Sequence, residues 1–398
     1  MDGFVAALLG FIILFGLMLI RVPVGIALGI VGVAGFAVMT ATDPALKLLS
    51  LVPIRALTDF TFGLIPMFIL MGALANASGM SRDLFAASNA WLGHHKGGLA
   101  LSTVVACGGF AAICGSSVAT AATMSKVALP EMRRFGYSNS LATGVIAAGG
   151  TLGILIPPSV VLAIYGIIAE QDIGKLFVAG FLPGILAVLM YMAAVRGTGM
   201  VRPDWVPTGQ RHDWAERWSS LRNVWPIALV FIFVLGGIYG GFFTPTEAAT
   251  MGAAIVAIIA FAAGRMNWRS FFSCVTDSLV TTGSLFLILI GAILFARFLT
   301  ITQFPQNVAD IMVGLQLGTY GTLALIILFY IVLGCFMDSL AIILITVPIF
   351  FPTVTQLGFD PIWFGVIVVM VTELGLITPP FGLNVFVIKA EAPDVALK

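Results

Sequence analysis

Charge is what this sequence has least of. Only 9% of its 398 residues are charged, against roughly 25% in a soluble domain, and 19 basic residues nearly cancel 18 acidic ones. So few charges cannot cover a water-exposed surface, and no basic patch or tail is present, so no nucleic-acid partner is expected. Cysteine is scarce as well. Cys107, Cys114, Cys274 and Cys335 lie in or beside apolar runs without CxxC spacing; they read as small packing residues rather than disulfides or metal ligands. The three histidines, His94, His95 and His212, fall between apolar runs and outside any HExxH, which argues against a zinc site. No GxxxxGK[ST] is present, so the chain is not expected to hydrolyse ATP. Without a membrane-embedded histidine as base, Ser116 and Ser117 do not read as hydrolase nucleophiles, and no enzymatic activity is expected.

What the sequence has is apolar length. Hydrophobic residues make up 60% of it, in runs at about 4–20, 24–40, 62–78, 99–129, 141–168, 176–195, 226–242, 246–263, 275–299, 321–351 and 363–388. Backbone groups in lipid must pair internally, and runs this long and continuous are helical. The expected class is all-α and polytopic, embedded in the lipid bilayer. The first run has no basic leader and ends in Arg21-Val22-Pro23, a poor cleavage site, so it reads as a retained helix.

The two halves superpose at a shift of 222 residues. Pro23 maps to Pro245, Pro130 to Pro352, Gly136 to Gly358 and Gly153 to Gly375. Gly115-Ser116-Ser117 maps to Met337-Asp338-Ser339, and Ile156-Pro157-Pro158 to Thr378-Pro379-Pro380. A diproline and several single prolines and glycines in one register are hard to obtain by chance. The organisation read from this is a first repeat over 1–195, a polar linker over 196–223 and a second repeat over 224–398. A counterpart of 176–195 would begin where the sequence stops; either symmetry is one span short or the sequence is truncated.

Positive charge sets orientation. Segment 99–129 is flanked by Arg82, His94-His95-Lys96 and Arg133-Arg134. At 1.5 Å per residue it reaches about 46 Å, too short for two crossings of about 30 Å, and it is broken at Cys114–Ser117. A re-entrant hairpin from the cytoplasmic side fits. Following the charges onward makes the linker cytoplasmic and 321–351 a second hairpin, entering from the far side, so that the repeats are inverted. Lys47 and Arg55 alone stand on the wrong side, in a segment (45–60) that looks amphipathic and interfacial.

Four interruptions are then expected to converge: the hairpin tips Gly115–Ser117 and Met337–Ser339, and the stretches Gly149–Ser159 and Glu373–Asn384. Proline removes a donor and clashes with the preceding turn, freeing carbonyls near 153–155 and 375–377, while glycines such as Gly150, Gly153 and Gly375 admit non-helical angles. Those carbonyls with the hydroxyls of Ser116, Ser117, Thr151, Ser339 and Thr378 are hard donors suited to Na⁺, with sites expected near Ser116, Gly153, Ser339 and Gly375. Half-helix N-termini suit an anionic substrate group. Pro157, Pro158, Pro379 and Pro380 form the turns, and Asn384 is substrate-facing or interhelical glue. Ionisable groups inside spans are functional candidates, which singles out Asp338 and then Glu373; Asp277 and Glu247 lie near helix ends and fit a cap or an interfacial position better. The bland alternative is a set of kinked helices whose Ser and Thr bond back to their own chain. The Trp205–Trp225 stretch reads as an interfacial arm or a solvated linker.

The stretches GGTLGILIPPSVVLAIYG (149–166), GLITPPFGLNVFV (375–387) and FGLIPMFILMGALAN (62–76) resemble the large membrane subunit of tripartite ATP-independent periplasmic (TRAP) transporters, over nearly the whole chain. The resemblance implies an elevator-type, Na⁺-coupled importer of organic acids in the bacterial inner membrane, with no cofactor beyond the coupling ion. Its implied partners are a small four-helix membrane subunit, a periplasmic substrate-binding protein and a carboxylate substrate. A stand-alone Na⁺/dicarboxylate or anion permease of the same superfamily is the alternative.

Overall fold

The computed structural model describes residues 2–209, 211–379 and 382–395, apart from the side chain of Val313. Nineteen α-helices occur among them. The first ten are α1 (Gly3–Leu19), α2 (Val24–Met39), α3 (Thr42–Thr58), α4 (Leu64–Ala77), α5 (Met80–Leu92), α6 (Gly98–Cys114), α7 (Ser117–Arg134), α8 (Asn139–Leu155), α9 (Val160–Ile168) and α10 (Ile173–Val201). After α11 (Trp214–Arg222) come α12 (Trp225–Tyr239), α13 (Pro245–Ala262), α14 (Trp268–Ile301), α15 (Phe304–Gly314), α16 (Gly318–Gly334), α17 (Ser339–Gln356), α18 (Pro361–Leu376) and α19 (Leu383–Glu391). Five of the described segments are long and apolar enough to cross a membrane, and two further pairs of helices qualify if each bent pair is one span. The chain is therefore all-helical, as the continuous apolar runs require.

Local chemistry sets the boundaries. Asp2, Asp172, Asp360 and Asn267 accept backbone N–H groups at the starts of α1, α10, α18 and α14, satisfying donors that a helix N-terminus leaves open. Thr244 and Glu247 form a capping box with Pro245 at the first position of α13, so Glu247 is a cap, as expected. Asp277 is not: it lies in the interior of α14 with its side chain exposed, because that helix begins at Trp268 rather than near 275. Similarly α10 runs to Val201, through the predicted start of the linker at 196.

The linker is stitched down. Gly97 N–H donates to the Pro207 carbonyl (3.3 Å), Gly209 N–H to the Gly93 carbonyl (3.2 Å) and the Tyr137 hydroxyl to Pro207 (3.1 Å). On α11, Trp214 and Trp218 set their rings edge-on to Trp91 of α5, and the buried Arg217 guanidinium stacks 5.1 Å from Trp214. The stretch is therefore packed on the rest of the chain rather than freely solvated, with Trp214, Trp218 and Trp225 still largely exposed.

The helices sort into two groups. In one, α2 lies along α14 and α13 along α4. Gly25 and Gly32 let the α2–α14 backbones touch: a Cβ on Gly25 would lie 2.6 Å from the Leu287 carbonyl, and one on Gly32 would lie 2.5 Å from the Phe295 nitrogen. At 1.5 Å per residue α14 is about 51 Å long, longer than the roughly 30 Å hydrocarbon core. In the other group, α6 folds back on α7 and α16 on α17, each pair resting on a helix that follows it, α8 and α18. The groups of each half also exchange partners, α7 packing on α19 and α17 on α9. First helical residues Ser117 and Ser339, or Asn139 and Pro361, are 222 apart. All four cysteines are free and buried.

Candidate functional site

The first half-site is built around glycine. Gly149, Gly150 and Gly153 were expected to unwind the chain, yet all three are helical within α8 and none has a positive φ. Their role is close approach. A Cβ on Gly150 would lie 2.8 Å from that of Ala121, one on Gly149 would lie 2.7 Å from the Cys107 sulfur, and one on Gly153 would collide with the Ser116 carbonyl. The tip of the α6–α7 pair thus seats directly on α8. Gly115, at φ +63°, ends α6 in the left-handed region that glycine favours; a Cβ there would lie 3.1 Å from the Pro158 carbonyl. Ser116 caps α7 by accepting Ala119 N–H at 3.3 Å, and its carbonyl accepts both the N–H (3.1 Å) and the hydroxyl (2.8 Å) of Thr120.

Unwinding is confined to Ile156–Ser159, joined by a cis bond between Pro157 and Pro158. Neither proline can donate to the carbonyls of Gly153 and Ile154, four residues earlier. The axis bends by 43° before Ser159 caps α9. Thr151 donates to the Ala148 carbonyl (2.6 Å) and shares a 2.9 Å hydrogen bond with the Tyr191 hydroxyl of α10. Residues 151–160 are all buried.

The second half-site is assembled differently. Asp338 caps α17, accepting Leu340 N–H at 3.1 Å. Ser339 donates from its hydroxyl to Glu373 Oε1 at 2.9 Å. Gly375 is helical, and a Cβ there would collide with the backbone of Gly334. Its carbonyl was expected to be free, but the chain tightens and Thr378 N–H donates to it (3.0 Å), while the Thr378 hydroxyl turns back to the Leu374 carbonyl (2.6 Å). Back-bonding, the bland alternative, describes this residue. Pro379 is exposed, and Pro380 lies outside the described residues. Asn384 on α19 is fully buried, and among the described residues neither its amide nitrogen nor its oxygen has a partner.

Glu373 joins the halves. It is 3% exposed; beyond Ser339, Ser117 of the first tip faces its carboxyl, and Asp338 and Tyr191 lie within electrostatic reach. Its Oε2 has no partner among the described residues. Burying a polar oxygen without a hydrogen bond costs about 1–3 kcal/mol, and more if it is charged, so the unpaired Glu373 Oε2 and Asn384 amide mark a place where the fold is not optimised for itself. The structure brings Gly115, Ser116, Ser117, Gly150, Thr151, Gly153, Pro157 and Pro158 together, and connects them through Glu373 to Ser339 and Asp338. Tyr191 was not legible as a site residue, since a tyrosine in an apolar run carries no local signal. Glu373 did carry one, as an acid within a span.

Broken helices that bring a buried acid, Glu373, against both helix-pair tips inside an apolar bundle fit the class of membrane transport proteins. The comparisons are more specific. The family model described as "Tripartite ATP-independent periplasmic transporter, DctM component" matches residues 11–396, and the chain belongs to that family: it is a TRAP transporter large permease, a multi-pass protein of the bacterial inner membrane. It is 40% identical over 333 residues to the C4-dicarboxylate TRAP transporter large permease protein DctM of Pseudomonas aeruginosa, covering 83% of this chain and 77% of that one. It is 35% identical over 388 residues to the isethionate TRAP transporter permease protein DctMQ of Oleidesulfovibrio alaskensis, covering 96% of this chain and 59% of that protein. It is 31% identical over 375 residues to the ectoine TRAP transporter large permease protein TeaC of Halomonas elongata, covering 94% and 87%. Among solved structures, the Alcanivorax borkumensis YdaH transporter superposes with a TM-score of 0.61 over 90% of this chain and 84% of that one, at 16% identity. That likeness concerns the fold alone.

Proposed function

We propose that this chain is the permease of a Na⁺-coupled secondary importer of organic acids. It works with a small four-helix membrane subunit and a periplasmic substrate-binding protein that delivers a carboxylate substrate. The observation that carries the reading is Glu373, a buried acid approached by both hairpin tips with one oxygen unpaired. A carboxylate there, beside Asp338, calls for a cation, and the surrounding hydroxyls of Ser117 and Ser339 are the hard oxygens Na⁺ prefers. The Asn384 amide can donate to a substrate carboxylate while its oxygen accepts. The N-termini of α7 and α17, at the two tips, add favourable potential for an anion.

The two halves act as inverted repeats, with α6–α7 and α16–α17 as re-entrant hairpins. The 222-residue offset of helix starts and the reciprocal packing of α7 on α19 and α17 on α9 support this. The hairpin group carries the site across the membrane against the α2–α14 and α4–α13 group, as an elevator does. The relatives named for C4-dicarboxylates, isethionate and ectoine favour small polar organic solutes.

Reconstitution in proteoliposomes with both partners tests the reading. Uptake of labelled dicarboxylates is expected with an inward Na⁺ gradient and lost when K⁺ replaces Na⁺. Equal uptake without Na⁺ refutes the coupling, and equal uptake without the binding protein favours a stand-alone permease.

A further inference from the structure

A cavity of ≈ 530 Å³ opens between α3 and the far end of α14. It shares Phe62, Ile293, Arg297 and Thr300 with a second cavity of ≈ 280 Å³ that reaches α9 and α17. Leu51, Val52, Phe62 and their neighbours make its wall largely apolar, and only three charged residues line it: Arg55, Asp59 and Arg297. Asp59 is engaged, accepting Thr61 N–H at 2.9 Å. Neither arginine belongs to any ion pair among the described residues. Arg55 stands in the last turn of α3 and Arg297 in the last turns of the apolar α14, both exposed. Two unpaired cations lining one largely apolar cavity, with a single acid beside them, call for an anion.

We propose that this cavity binds the headgroup of an anionic phospholipid, its phosphodiester held between Arg55 and Arg297. Guanidinium matches phosphate oxygens in a bidentate fork, and basic pockets between spanning helices are suited to lipid headgroups. Two positive charges and one negative leave one positive charge, which a single phosphodiester neutralises. The apolar wall selects an amphiphile, since a small hydrophilic carboxylate would leave it unused. The acyl chains continue onto the exposed side chains of Leu51, Ile54 and Ile301, beside α3, whose sequence reads as amphipathic and interfacial.

The full chain, purified and exchanged into phosphatidylcholine bilayers with or without phosphatidylglycerol, provides the test. Native mass spectrometry is expected to show retained phosphatidylglycerol in preference to phosphatidylcholine, together with a raised Tm. Arg55→Gln and Arg297→Gln should each weaken retention about 5-fold, and the double variant about 30-fold. If the double variant fails to fold, the wild-type preference between the two lipids still decides. Equal retention of both lipids, or unchanged retention in either folded variant, overturns the proposal. So does an equal rise in Tm from inorganic phosphate or succinate, which would make this a site for a soluble anion.

Discussion

The two diproline breaks share a motif and differ in setting. Around Pro157 and Pro158 every residue from 151 to 160 is buried, whereas Pro379 is exposed and Thr378 only half-buried. The reason lies outside the motif. Helix α10 lies over the first break, close enough that a Cβ on Gly180 would sit 3.0 Å from the Leu155 carbonyl and one on Gly184 2.7 Å from the Ile156 side chain. At the second break Thr378 and Pro379 are not covered in this way. At the first break the prolines cannot donate to the Gly153 and Ile154 carbonyls, whereas at the second Thr378 donates to the carbonyls of Gly375 and Leu374. The same diproline motif thus sits in two different environments.

The comparison can be broken most sharply at the glycines. Gly153→Val should abolish uptake, because the new side chain meets the Ser116 carbonyl and the tip cannot seat; overpacking of this kind costs about 1–3 kcal/mol, and Tm should fall with uptake. Replacing Pro157 and Pro158 with alanine should lower uptake more than membrane insertion, while Thr378→Ala at the second break should leave uptake within about 2-fold, since its hydroxyl serves its own helix. Next comes Glu373→Gln, for which uptake is expected to fall more than 10-fold with normal abundance and a raised Na⁺ requirement. Wild-type Na⁺ dependence in that variant would remove Glu373 from the ion site. A smaller effect separates ligand from glue at Asn384. Because its amide has no partner among the described residues, Asn384→Leu should keep or raise Tm while reducing substrate affinity; a lowered Tm would mean a missed internal bond.

The smallest effect concerns the end of the second half. Arg133 Nη2 donates to both carboxylate oxygens of Asp394 at 2.8 and 3.0 Å, holding that acid below the usual carboxylate range. An acid depressed in the folded state adds stability above its unfolded pKa, of about 3.9, and loses it as pH falls through the lower folded value. Hydrogen exchange in residues 392–395 should therefore quicken only below about pH 4, and Arg133→Gln should erase that dependence.

Much of this was legible in sequence. Prolines and glycines in one register located the breaks to within a few residues, since both act on the backbone itself. The tips at Ser116 and Asp338 were legible as well, although their side chains proved to be caps. The errors at the site share one origin. Gly150, Gly153 and Gly375 look alike in a sequence whether they unwind a helix or admit a neighbour, and only the neighbour's position tells which. Tyr191 and the Ser339–Glu373 bond belong to tertiary contacts for which an apolar run gives no cue.

The bare backbone contact between α2 and α14 has a mechanical consequence. Main chains that touch at Gly25 and Gly32 are keyed turn by turn, so neither helix can slide lengthwise without first lifting off the other. On the proposed elevator reading this seam is the rail rather than the carriage, and Gly32→Leu should pry it open while leaving the proposed solute cradle intact.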